Sequence, residues 1–142
     1  MAEWMKTLVA EVAAWPGVTA HEHRFGGTEF RVGEREIGHV HWFGIVDIPF
    51  TVRLRDALIA AGRAEQHHFV PDSGWTTVRV GRHGIENARD LLRLSYLRLR
   101  LKSPEAAAAD EAHAELARCG LEVEVLEAVG VPAVAEAGGL TA

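Results

Sequence analysis

The stretch REIGHVHWFGIVDIPF, residues 35–50, decides how this chain folds. Apolar and polar residues alternate through it with a period of two, the repeat of a pleated strand half covered by a core. The alternation breaks once, at Phe43-Gly44, and stops at Pro49, which has no N–H to give to a ladder. Two antiparallel strands follow, near 35–43 and 45–50. Residues i and i+2 share a strand face, so Ile37, His39, His41 and Phe43 point one way and Gly38, Val40 and Trp42 the other. Two imidazoles at that spacing can chelate a metal or grip one anion. Asp47 breaks the apolar run of the second strand, and a buried carboxylate needs a partner. A two-residue turn pairs position 47 with 40 and sets the carboxylate across the sheet from the histidines. A three-residue turn pairs it with 39 and gathers His39, His41 and Asp47 into one possible metal set. A slip of one residue separates these outcomes, and both stay open at this point.

Upstream, residues 2–14 carry helical spacing and are stopped by Trp15-Pro16-Gly17, where proline forces extended geometry on its predecessor. Residues 19–32 alternate as another strand, with Gly26-Gly27 as a bulge inside it. His21 and His23 sit among charged neighbours and are expected at the surface.

Downstream, Thr51 is a candidate N-cap and Gly62 a candidate C-cap for a helix between them. RAEQHHFVPDS, residues 63–73, reads as a loop that closes on Pro71-Asp72-Ser73-Gly74 turn chemistry. In it, His67 and His68 point to opposite sides of an extended segment. Trp75 opens a fourth strand, and residues 84–102 form a long helix with Ile85, Ala88, Leu92, Tyr96 and Leu99 as its core stripe. Ser103-Pro104 signals the start of a further helix running to Arg118. LEVEVLEAV, residues 121–129, reads as a short edge strand, and the last ten residues are expected to be loosely held. The sum is an α+β, two-layer sandwich of order α-β-β-β-α-β-α, an antiparallel sheet with helices on one face, followed by a helical extension. The domain occupies 1–102 and the extension 103–142.

Composition narrows the function classes. The 142 residues are 48% hydrophobic and 25% charged, ordinary globular values. Residues 1–102 hold 14 Lys/Arg against 12 Asp/Glu, a balance of +2. Residues 103–142 hold one against eight, a balance of −7. A near-neutral body with an acidic extension gives no electrostatic case for nucleic acid. No apolar run spans a bilayer, and the N-terminal stretch is broken by Glu3 and Glu11, so a soluble, cytoplasmic protein is expected. Cys119 is the only cysteine, which excludes an intrachain disulfide.

Taken in order, WPGV, HRFGGTEFRVGEREIGHVH, DIPF, RDALIAAGRAEQHHFVPDSGWTTVRV and LLRLSYLRL resemble the luciferase-domain family over about residues 15–100. That family contains fungal luciferases and many short bacterial proteins. The resemblance implies a small-molecule pocket and an oxygenase that acts on a phenolic or enolic anion with molecular oxygen, without metal or flavin. It implies His39, His41, His67 and His68 as catalytic residues and draws Arg24, Glu29, Arg63 and Trp75 to the ligand, to which the strand reading adds Asp47. The chain departs from the fungal pattern in its shorter turn after His41 and in Asp47, where that pattern has a histidine. The element order is also similar to the MmcQ/YjbR double-wing and frataxin-like sandwiches, which supplies the rival reading of a non-catalytic module that binds a ligand or partner.

Overall fold

A computed structural model describes residues 1–67 and 69–131. His68 and the last ten residues, both singled out from the sequence, lie outside the described set. The chain divides into two compact units, Met1–Tyr96 and the part beginning at Leu97.

The first unit is an α+β structure built on one antiparallel sheet. Helix α1 (Glu3–Ala13) leads into β1 (Val18–His23) and β2 (Gly27–Val32), then β3 (Arg35–His41) and β4 (Ile45–Pro49). Helix α2 (Val52–Ala60) and the two-residue strand β5 (Glu65–Gln66) precede β6 (Trp75–Arg79), the short α3 (Val80–His83) and the long α4 (Ile85–Leu101), whose residues from Leu97 onward belong to the second unit. The sheet order is β1-β2-β3-β4-β6-β5. Residues 19–32 are thus a hairpin and not one bulged strand. The chain reverses at Arg24-Phe25-Gly26, where Phe25 takes the left-handed φ of 58° and Gly26 follows at 78°.

One sheet face is apolar. Phe30, Val40, Val46, Ile48 and Val78 are completely buried, and α4 lies against this face with Leu92 at Gly38. A β-carbon at Gly38 would sit 2.6 Å from Leu92 Cδ2, so glycine sets the approach of helix to sheet. The core stripe of α4 is wider than its sequence spacing suggests. Leu91 and Leu94 are buried beside Ala88, Leu92 and Tyr96, whereas Ile85 is exposed and Leu99 only half buried. Tyr96 donates its hydroxyl to the Pro16 carbonyl at 2.6 Å, tying α4 to the turn after α1. Tyr96→Phe leaves that carbonyl without its partner and is expected to cost about 1 kcal/mol, read as a shift in urea midpoint. Thr51 caps α2 as expected, its hydroxyl accepting from Leu54 N at 3.1 Å.

In the second unit, α5 (Ala106–Arg118) starts after Ser103-Pro104, not at it: Glu105 is its N-cap, and Ser103 Oγ accepts from Glu105 N. The expected edge strand is helix α6 (Val123–Val129). Gly130 ends it in the left-handed conformation, and its N–H donates to the Leu126 and Glu127 carbonyls. No helix among the described residues is long and apolar enough to cross a membrane.

Candidate functional site

The second face of the sheet is polar by register. His21, Glu29, His39, Asp47, Thr77 and Glu65 stand opposite one another in sequence, one from each strand. The turn between β3 and β4 is the three-residue form, Trp42-Phe43-Gly44. It pairs His39 with Asp47 and His41 with Ile45. Gly44 has a φ of 93° there, and Val80 N donates to its carbonyl.

A β-bulge sharpens the arrangement. Phe30 pairs with Gly38 but Arg31 with Glu36, so Ile37 is the extra residue. Ile37 is buried in the core, and Glu36 comes round to His39. Strict alternation had placed Ile37 on the histidine face.

Asp47 is the hub and is only 3% exposed. Its Oδ1 accepts from Thr77 Oγ1 at 2.7 Å. Its Oδ2 lies 3.1 Å from His41 Nε2, 3.3 Å from His39 Nε2 and 3.5 Å from His67 Nε2. His39 Nδ1 bonds Glu36 Oε2 at 2.6 Å, and His23 Nδ1 bonds Glu29 Oε1 at 3.1 Å. The His23 and His39 rings stack at 4.0 Å, and His41 stands edge-on to both.

Burial disfavours the His39 imidazolium, but hydrogen bonds to Asp47 and Glu36 outweigh it and push the pKa up to about 9. Burial also works against the Asp47 carboxylate, yet bonds from His39 and Thr77 hold it at about 2. His41 goes the other way. Burial, then the charge of His39, lower it from the ordinary imidazole value. Its Nδ1 is buried and has no hydrogen-bond partner among the described residues.

These groups floor a concavity of about 1020 Å³. Phe43, which stacks on His41 at 5.1 Å, and Trp75, 5.4 Å from His39, form its walls. Phe25 and Phe69 stand exposed at its mouth, and Arg24 and Arg79 add positive charge. Arg55, buried in α2, donates to the Pro71 and Ser73 carbonyls at 2.5 Å and fixes the loop between β5 and β6.

Of the residues expected from the sequence, His39, His41, His67, Asp47, Trp75 and Arg24 come together here. Glu29 does not line the concavity; it stands behind His23, bonded to it and to Arg31. Arg63 lies apart, donating to Asn87 Oδ1 and accepting from Asn87 Nδ2 through its carbonyl. His23, expected at the surface, belongs to the site because the hairpin at 24–26 folds β1 back beside β2. The Gly26-Gly27 dipeptide was the available signal, since paired glycines mark hairpin turns as readily as bulges. Gly27 must also be small: a β-carbon there would meet the Val40 carbonyl at 2.9 Å and His23 Cβ at 3.3 Å.

The Luciferase domain family model matches residues 34–95, from the start of β3 through most of α4, and over that stretch the resemblance read from the sequence holds. The match excludes β1 and β2, hence His23, Arg24 and Glu29. No curated protein and no solved structure matches the chain.

Proposed function

We propose that the polar face of the sheet binds a small planar molecule bearing a phenolic or enolic oxygen. The observation that supports this reading is one concavity in which an imidazole and carboxylate floor meets aromatic walls. Phe43 and Trp75 offer ring faces to a planar body, and the imidazoles offer hydrogen bonds to its oxygen. Arg24 is a permanent cation whose field favours the anionic form, while Arg79 shares its charge with Glu65.

The luciferase-domain match suggests oxygenation as the reaction. An enolate supplies both electrons of the new C–O bond to molecular oxygen, and one proton completes a hydroperoxide. No outside reductant is needed. The rival is a module that holds the same ligand without turnover.

Calorimetry with a panel of phenolic and enolic compounds, paired with an oxygen electrode, tests the reading. At least one compound is expected to bind, and His39→Ala, His41→Ala and Trp75→Ala are each expected to weaken it roughly tenfold or more, the scale of about 1.4 kcal/mol. Unchanged affinity in all three variants would remove the pocket. Binding without oxygen uptake would leave the module.

A further inference from the structure

The nitrogens of the histidine cluster divide into two kinds. One nitrogen of each ring is held by a carboxylate: His23 Nδ1 by Glu29, His39 Nδ1 by Glu36 and His41 Nε2 by Asp47, at 3.1, 2.6 and 3.1 Å. The remaining three are His23 Nε2, His41 Nδ1 and His39 Nε2, the last of which faces Asp47 Oδ2 at 3.3 Å and must leave it for an ion. Metal-binding histidines are oriented in this way, a carboxylate taking the far N–H so that the near lone pair faces the ion. One donor atom from each of His23, His39 and His41 lies within 4.8 Å of the others, a grouping that stands out among the described residues.

From this geometry we infer that His23, His39 and His41 form a binding site for one divalent first-row transition ion of the zinc class. Three imidazole donors select borderline ions over magnesium or calcium, which take oxygen ligands. Bonds of about 2.0–2.1 Å require donors about 3.3 Å apart, so the rings draw inward by up to roughly 1.5 Å on loading. Two further observations fit. His41 Nδ1 is a buried nitrogen with no hydrogen-bond partner among the described residues, which an ion would satisfy. Glu29 is already paired with Arg31, which leaves Glu36 and Asp47 beside the imidazoles as the two carboxylates whose charge a divalent cation would offset. Asp47, which the sequence suggested as a ligand beside His39 and His41, serves here as the outer partner of His41 through Oδ2. Three protein ligands leave a position open toward the concavity, where the oxygen of a phenolate or enolate can reach the ion.

The inference goes beyond the pocket reading, and the two can fail separately. Full-length protein is stripped with chelator and titrated with Co²⁺ while visible absorption is followed, then with Zn²⁺ in competition. One equivalent is expected, with the absorption of a four- or five-coordinate ion. His23→Ala, on an edge strand where loss of the ring leaves the core intact, is expected to weaken binding on the order of 100-fold, and His39→Gln and His41→Gln likewise. Glu36→Gln is expected to weaken it roughly 10-fold or more. His21→Ala, two residues away and exposed, should match wild type. Circular dichroism checks that each variant is folded. Affinity weaker than about 100 μM (roughly 5.5 kcal/mol), or affinity unchanged in a folded His23→Ala, overturns the site. If phenolic ligands still bind the stripped protein, the pocket stands without the ion. If the ion binds and no such ligand does, the site stands and the pocket reading falls.

Discussion

Gly74→Ala is expected to destabilise the protein by about 4 kcal/mol or more, at the far end of what one methyl group can do. The strain is steric and has no flexible side chain to absorb it. A β-carbon at position 74 would lie 1.8 Å from the Phe50 carbonyl oxygen, 2.7 Å from its carbon and 3.0 Å from the Thr51 carbonyl carbon. That contact is where the loop before β6 meets the junction of β4 and α2, and Phe50 N donates to the Gly74 carbonyl across it. Separating the two strands of backbone would break this bond. It would also pull the Pro71 and Ser73 carbonyls off the buried Arg55 guanidinium. Urea denaturation measures the effect. Gly81→Ala is the control, because a β-carbon there meets nothing within 4 Å. A Gly74→Ala midpoint equal to the control's would show that the loop is not held as described. Because the same loop carries Phe69 and leads into Trp75, the folded fraction of Gly74→Ala is also expected to bind pocket ligands less well.

Position 74 illustrates what the sequence discloses and what it withholds. Its turn chemistry was legible in Pro-Asp-Ser-Gly, but the requirement for glycine comes from Phe50, a contact across 24 positions that no local pattern carries. The sheet was legible for the same reason that its register was not. Alternation fixes faces once pairing is known, whereas pairing depends on the turn, and Gly44 with the Val80 bond settles the turn through tertiary contact. His39 and His41 were therefore recognisable as a pair, while Asp47 had two possible places. His23 was missed because charged neighbours describe exposure along a strand, not what a hairpin partner brings over it. The Val-Glu-Val-Leu pattern at 123–126 read as a strand, yet the buried residues are the adjacent Val125 and Leu126, which only a helix places on one side. Gly130, the helix stop, was the local signal that outweighed the alternation.

Removing the hub of the site is the second large effect. Asp47→Ala is expected to cost about 3–5 kcal/mol, the range for deleting one partner of a buried charged group. The loss exceeds that of one hydrogen bond because several groups depend on this carboxylate. Thr77, 1% exposed, would keep a hydroxyl with no carboxylate to receive it. His41 Nε2 would lose its acceptor while Nδ1 of the same ring has no partner among the described residues, leaving a half-buried imidazole with neither nitrogen bonded to them. His39 and His67 would each lose the Oδ2 that faces them. Asp47→Asn separates shape from charge. The amide oxygen can still accept from Thr77, so about half of the loss is expected to return, while a single neutral amide cannot serve the imidazoles as the carboxylate does. The urea midpoints should therefore order as wild type, Asn, Ala, with the Ala variant lower by about 2 M for an m-value near 2 kcal/mol/M. Equal midpoints for Asn and wild type would mean that the charge contributes nothing to the fold. In that case the carboxylate would serve only to orient the imidazoles, and the Asn variant would show its defect in ligand or metal affinity alone.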